Sequence, residues 1–169
     1  RLSSALHVVT RPACVHQGCG ILATNHYGSN GSEQTAFFAV SGAQCTFTAD
    51  RREFLGRNGS RYRPAAMAQG ALSEKTGAGF DPCAAVQSVV TLIDGDRQTL
   101  VFALGIGNNP QEAEALIARY LNETAAQSEL ADVHRYWHQM LDTVIVNTPD
   151  AAVNLLANGW LLYQTLACR

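Results

Sequence analysis

Residues 35 to 40 read Thr-Ala-Phe-Phe-Ala-Val, and residues 45 to 49 read Cys-Thr-Phe-Thr-Ala. The first run is apolar and has the length of a buried strand. The second run alternates, with Cys45, Phe47 and Ala49 on one side of the backbone. Because only four residues separate the two runs, a β-hairpin is expected here.

A second hairpin is expected around Asp94-Gly95-Asp96, between the β-rich run 86–93 and the run 99–104. Consecutive strands joined by short turns, with no helix between them, favour an antiparallel sandwich over βαβ units. A further short apolar strand is expected over Ala5–Val9. Gly18 and Gly20 favour a turn or bulge rather than a strand interior.

The segment 56–81 has no sustained periodicity and is rich in glycine, with one proline. It is interpreted as a long ordered excursion across the sheet. Loops of this length in compact domains are often functional.

The hydrophobic period changes to 3.6 residues at Asn108, which predicts helices. Asn109 suits an N-cap, Pro110 suits the first helical position, and Glu112 can close a capping box. The apolar stripe of this helix is Ala113, Leu116, Ile117, Tyr120 and Leu121. A second helix is expected from about Thr124, with Leu130, Val133, Trp137, Met140 and Leu141 on its inner face.

A third helix is predicted to be capped by Thr148 and opened by Pro149. It is apolar on nearly every face, and a helix of that kind must be buried on all sides. Neither a glycine nor a proline marks its end. The preceding residues are too few to cover it, so the chain is expected to be the front part of a larger protein.

The composition is that of a globular protein, with 169 residues, 47% hydrophobic content and 15% charged content. The net charge is −2 and Lys75 is the only lysine, which argues against a nucleic-acid surface. No signal peptide or membrane-spanning run is evident. The five cysteines lack metal-ligand spacing and are expected to be reduced, mostly buried thiols in a cytosolic setting.

Several residues that resemble a site have a simpler interpretation. His134 and His138 are spaced to share a metal, but Arg135 stands where a zincin glutamate would be and no third ligand is near, so no metal site is expected. The aromatic residues Trp137, Trp160, Tyr120 and Tyr163 are expected to pack in the core rather than stack on sugars.

Four carboxylates border the long loop, namely Asp50, Glu53, Glu74 and Asp81. A glycosidase pair could be drawn from them. Helix capping or pairing with arginine is the favoured role. The arginines between residues 51 and 63 form the only basic concentration, which is either a solvated loop or a contact with an anion or polar ligand.

The stretch Phe54-Leu-Gly-Arg-Asn-Gly-Ser60, followed by residues 72–87, resembles the N-terminal domain of the inverting disaccharide and oligosaccharide phosphorylases. These enzymes form glycoside hydrolase family 94, formerly glycosyltransferase family 36. The tail, Thr148-Pro-Asp150 and Asn158 to Arg169, is similar to the phosphorylase-like C-terminal region of cyclic β-1,2-glucan synthases. The resemblance runs from about Thr48 to the end of the chain. Residues 1–47 are similar to the family only in their general character.

The resemblance implies an α+β architecture. A supersandwich-like antiparallel β-sandwich would occupy residues 1–107 and a helical linker residues 108–147, with the first helix of a truncated (α/α) barrel over residues 148–169. In this family an aspartate of the barrel is the general acid, and inorganic phosphate, the co-substrate, attacks the anomeric carbon with inversion. The acid is expected beyond Arg169, so no catalytic residue is assigned here. The fragment alone is expected to be inactive and to need no cofactor.

The resemblance also implies that the sandwich helps to form the sugar-binding entrance and a dimer contact. Arg57, Asn58 and Ser60 are the candidates for contacting a β-glucan oligosaccharide. In the alternative, Arg57 pairs with Asp50 or Glu53 and only holds the loop. The implied partners are the rest of the parent polypeptide and a second copy of it. A cytoplasmic location is implied, with tethering to the inner membrane if the parent is a cyclic glucan synthase.

A different class of function is a stand-alone carbohydrate-binding or structural sandwich with no enzymatic parent. The genomic reading frame discriminates between the two. Continuation past Arg169 into a helical barrel supports the enzyme, and a stop codon supports the module.

The apolar helix generates a prediction. Burial of each of its Leu, Trp and Tyr side chains is worth on the order of 1.5–3 kcal/mol, so their exposure should drive self-association. Light scattering should show association of the full chain and less association of a variant lacking residues 148–169. The expectation would be contradicted if both the full chain and the shortened variant were monomeric.

Overall fold

The computed structural model describes residues 7–27 and 33–168, and every structural statement concerns those residues. The strands are β1 Val8–Pro12, β2 Gly18–Asn25, β3 Thr35–Ser41, β4 Cys45–Asp50, β5 Pro82–Ser88 and β6 Phe102–Gly107. The α-helices are α1 Arg51–Leu55, α2 Pro110–Tyr120, α3 Glu123–Leu141, α4 Ala151–Leu155 and α5 Leu161–Ala167. A 3₁₀ turn covers Ala65–Ala68 and a π turn covers Leu156–Trp160. The chain divides into two compact units, Arg1–Ala126 and Gln127–Arg169.

The first unit contains two antiparallel sheets. Four strands pair in the order β1-β2-β3-β6, and β4 pairs with β5 in a separate sheet. Antiparallel sheets with a few helices give the predicted α+β class. The predicted strand over Ala5–Val9 appears as β1, and its first two residues lie outside the described part of the chain.

Both predicted hairpins are wrong, because their strands lie in different sheets. The three-residue connection after β3 carries the chain to the second sheet, and the segment that contains the Asp94-Gly95 turn connects β5 to β6 across sheets. Backbone bonds hold the first crossing, with the Ser41 amide donating to Val101 at 2.9 Å. The physical reason is that β3 is apolar on both faces, so it needs cover from two layers, which a hairpin within one sheet would not supply.

Each face of the larger sheet is covered by a different element. On one face the small sheet contributes Phe47 and Ala49, which pack against Cys19, Ile21 and Val40. On the other face α2 contributes Ala113 and Ile117, which pack against Leu22, Phe37 and Ala39. The core of the first unit therefore consists of two layers of side chains, one on either side of β2 and β3.

Gly20 was expected to mark a turn or bulge, and it lies instead within β2 opposite Ala39. A Cβ at this position would come within 2.8 Å of the Ala39 Cβ. Close packing of the two strands therefore requires the glycine, which explains why a propensity argument failed here.

The long segment between α1 and β5 is an ordered excursion, as predicted. The Glu74 amide donates to the Phe47 carbonyl, and the Ala49 amide donates to the Lys75 carbonyl, each at 2.8 Å. Further along, the amides of Thr10 and Gly77 donate to each other's carbonyls at 2.8 and 3.0 Å. The segment thus runs from β4 to the outer edge of β1 and joins the two sheets.

The predicted start of α2 is confirmed. Asn109 Oδ1 accepts from the Glu112 amide at 2.8 Å, and Pro110 is the first helical residue. Glu112 reaches back to the Asn108 amide at 2.9 Å, one position before the residue that a capping box requires. The second helix, α3, begins at Glu123, beside the predicted Thr124, with Asn122 Oδ1 accepting from the Ala125 amide.

In the second unit the third helix begins two residues later than predicted. Asp150 is the N-cap, with its carboxylate accepting from the Ala152 amide at 2.8 Å, and Ala151 is the first helical residue. Thr148 does not cap this helix because its own backbone is bonded to the Asn154 side chain. Asn158 makes the same pair of bonds to the backbone of Val146.

The aromatic side chains of the second unit form a cluster rather than a core. The ring centroids of Trp137 and Trp160 lie 6.3 and 6.0 Å from that of Tyr163. Trp160 is 57% exposed, and α3 contains no buried residue in the described chain. The expectation of core packing for these aromatic side chains is therefore wrong. The described residues of the chain do not enclose the apolar helix.

No helix in residues 7–27 or 33–168 has both the length and the apolar character that crossing a bilayer requires.

The packing of α2 generates a stability prediction. Ile117 is fully buried against the sheet, so Ile117→Ala should lower the free energy of unfolding by about 2–5 kcal/mol. Urea denaturation followed by circular dichroism measures this value. The control is Leu104→Ala, since Leu104 is 81% exposed and its truncation should cost less than about 1 kcal/mol. Equal losses would contradict the two-layer core.

Candidate functional site

The three predicted sugar-contacting residues lie on one turn that follows α1. Arg57 and Asn58 form the turn itself, and Ser60 follows it in an isolated antiparallel bridge with Arg63. Arg57, Asn58 and Ser60 are all exposed. The three residues therefore lie together because they are close in the sequence, and their polar groups are available to a ligand.

Two glycines hold the backbone of this turn. Gly56 has a φ of 87°, a left-handed value that side chains disfavour, and its amide donates to the Arg52 carbonyl at 2.8 Å. A Cβ at Gly59 would lie 1.6 Å from the Leu55 carbonyl oxygen, so no other residue fits there. The turn is therefore folded tightly onto the end of α1.

Arg57 does not pair with Asp50 or Glu53. Among the described residues its guanidinium forms no hydrogen bond or ion pair, whereas Arg51 lies 3.6 Å from Asp81. The alternative in which Arg57 merely holds the loop through these carboxylates is therefore wrong. Arg57 and Arg52 instead line a cavity of about 550 Å³.

Asp50 has the predicted capping role. It is buried, its Oδ1 accepts from the Arg52 amide at 2.9 Å, and its Oδ2 forms an ion pair with Lys75. Burial acts to raise the pKa of Asp50, but the bonds to Lys75 and to the Arg52 amide outweigh it and hold the pKa below its usual value. No pattern in the sequence identifies Lys75, 25 residues away, as the partner.

Glu53 anchors the long loop. Its carboxylate accepts from the Thr48 hydroxyl at 2.5 Å, the Ser73 hydroxyl at 2.6 Å and the Ser73 amide at 2.8 Å. Burial acts to raise its pKa, and these three bonds outweigh it, so the pKa lies below its usual value. With the Asp81–Arg51 pair, three of the four loop carboxylates have structural partners. The fourth, Glu74, is exposed and has a φ of 58°.

Neither Cys19 nor Cys83 is an activated nucleophile. All five are free thiols, but only Cys19 is buried, so the expectation that most would be buried is wrong. Burial raises the pKa of Cys83 to about 11. Burial, together with the interaction with Cys45, raises the pKa of Cys19 further. Both thiols therefore stay protonated at neutral pH.

Within residues 7–27 and 33–168, no three His, Cys, Asp or Glu side chains come together as a metal site would require. His134 and His138 are both exposed, and His138 Nδ1 lies 3.9 Å from Asp142.

The Glu53 anchor generates a pH prediction. Because its pKa is lower in the folded protein, its contribution to stability is present above its usual pKa of 4.5 and is lost as the pH falls through the folded value. In urea denaturation, the loss of stability between about pH 5 and pH 3 should be smaller for Glu53→Gln than for the wild type. Glu114→Gln, which removes a charge from α2, is the control. Identical pH profiles for Glu53→Gln and the wild type would contradict the anchor.

Comparison with known proteins assigns the chain to a family. The sequence model of the glycosyl hydrolase 94 supersandwich domain matches residues 1–123. The match includes residues 1–47, whose sequence resembles the family only in its general character.

Three relatives illustrate the range of the match. The cyclic β-(1,2)-glucan synthase NdvB of Rhizobium meliloti (strain 1021) is 37% identical over 150 residues, which are 88% of this chain and 5% of that protein. The N,N'-diacetylchitobiose phosphorylase of Vibrio furnissii is 27% identical over 73% of this chain and 16% of its own length. The solabiose phosphorylase of Paenibacillus borealis is 27% identical over 88% of this chain and 19% of its own length.

The chain thus spans less than a fifth of the length of each of these relatives. Its two antiparallel sheets agree with the supersandwich description. This chain belongs to glycoside hydrolase family 94 and carries the supersandwich domain of that family.

Proposed function

We propose that the chain is the sandwich and linker portion of an inverting glycoside phosphorylase or a cyclic β-1,2-glucan synthase-type glycosyltransferase that acts on β-glucans. In this proposal these residues bind carbohydrate and assemble with the catalytic part of the polypeptide and with a second copy. The names of the relatives, a cyclic glucan synthase and two disaccharide phosphorylases, support this proposal.

The observation that carries the binding role is the turn after α1. It presents Arg57, Asn58 and Ser60 to solvent on a backbone held by Gly56 and Gly59. A guanidinium supplies a planar pair of donors, and an amide and a hydroxyl both donate and accept, which suits the hydroxyl groups of a sugar. A tightly held turn also loses little conformational entropy when it binds a ligand.

The catalytic role is proposed to belong to polypeptide outside residues 1–169, with inorganic phosphate as the co-substrate and with no cofactor. A general acid needs a raised pKa, and the pKa values of Asp50 and Glu53 are lowered. These two carboxylates are ionised at neutral pH and already bonded, so they are poor candidates. We expect the chain by itself to be inactive. We also expect a cytoplasmic enzyme, tethered to the inner membrane if it is a cyclic glucan synthase.

The sugar-binding role is tested by substitution of the turn. Arg57→Ala and Asn58→Ala should each weaken binding of a β-1,2-linked glucan oligosaccharide by about tenfold, the equivalent of about 1.4 kcal/mol. Isothermal titration calorimetry measures the affinity. The matched control is Arg97→Ala, which removes an arginine from the exposed turn between β5 and β6. An unchanged affinity in both turn variants would refute the assignment.

A further inference from the structure

The surface around α1 carries an excess of positive charge that the chain does not neutralise. Five arginines and two carboxylates lie between residues 50 and 63. Both carboxylates are engaged elsewhere, since Asp50 forms an ion pair with Lys75 and Glu53 accepts from Thr48 and Ser73. Arg51 pairs with Asp81, and the positive charge of the other four arginines is exposed to solvent.

Two of these arginines share one cavity. Arg52 lies on α1 and Arg57 on the turn that follows, and both line the cavity of about 550 Å³. Within the described residues neither guanidinium donates to a carboxylate or a carbonyl, in contrast to Arg51, which reaches Asp81 and the Pro82 carbonyl. Two guanidinium groups that line one cavity and make no hydrogen bond leave ten N–H donors available to a ligand.

The backbone between the two arginines is held in place, so the two stems start from fixed positions. The Gly56 amide donates to the Arg52 carbonyl at 2.8 Å, which closes α1 onto the turn. The contact of Gly59 with the Leu55 carbonyl then fixes the far side of the turn. A preorganised pair of arginines needs little rearrangement to bind a small anion.

We propose that Arg52 and Arg57 form a binding site for a phosphate-type oxyanion, either free inorganic phosphate or the phosphate of a sugar ester. Guanidinium groups bind phosphate through paired N–H···O bonds, and two of them lining one cavity can both donate to one oxyanion. The site extends beyond the proposed sugar contact, because Arg52 takes no part in that contact. It requires neither Asn58 nor Ser60.

The site is tested by equilibrium dialysis of the full chain against radiolabelled inorganic phosphate, and separately against glucose 1-phosphate, at constant ionic strength. Arg52→Gln and Arg57→Gln should each weaken binding at least tenfold. Arg97→Gln, the matched control, removes the same charge from an exposed turn and should leave binding unchanged. Circular dichroism of each variant verifies that it is folded.

The outcomes separate this site from the sugar-binding turn. Equal binding of the two ligands supports a site that recognises the oxyanion alone, and binding of glucose 1-phosphate only supports a site for the ester. Asn58→Ala should weaken the binding of neutral glucan and leave the binding of phosphate unchanged. Arg52→Gln should weaken the binding of phosphate and leave the binding of neutral glucan unchanged. Absence of binding of both inorganic phosphate and glucose 1-phosphate to the wild type, or equal binding by wild type and Arg52→Gln, overturns the inference without affecting the sugar-binding proposal.

Discussion

The first unit depends on the burial of β3 from both sides. Phe37 and Ala39 face α2, and Val40 faces the small sheet, so that one strand contributes to both layers of the core. A strand apolar on both faces is stable only where two other elements cover it. This requirement explains why the chain leaves the large sheet after β3, builds a second sheet, and returns as β6 before α2 begins.

The same requirement positions the candidate site. Since β4 must lie over the large sheet, its end positions Asp50 and the short helix α1, which packs beside β4 and β5. The long loop then passes from β4 to β1 and is fixed by Glu53 and by the Thr10–Gly77 bridge. Carboxylates that could suggest acid–base chemistry are thus engaged in holding the loop, while the arginines remain available on the surface. The proposed affinity of this surface for polar and anionic ligands rests on this contrast between the bonded carboxylates and the guanidinium groups of Arg52 and Arg57.

The sequence predicted the class of fold and the elements better than it predicted their pairing. The start of α2 could be predicted because Asn109 and Pro110 act within one turn of the backbone. The hairpins were wrong because local turn signals at residues 41–44 and 94–96 carry no information about which layer a strand joins. The role of Asp50 as a cap was predictable for the same local reason as Asn109. Its pairing with Lys75 was not, because it joins residues far apart in the chain.

The paired amides of Asn154 and Asn158 have a consequence for the third helix. The two side chains are four residues apart, one in α4 and one in the π turn that follows it, and they bond to Thr148 and Val146, which are two residues apart in the preceding segment. Each amide both accepts from a backbone N–H and donates to the carbonyl of the same residue, so the segment is tied to the helix in one register. Insertions or deletions between residues 146 and 158 would break this register and would therefore be poorly tolerated.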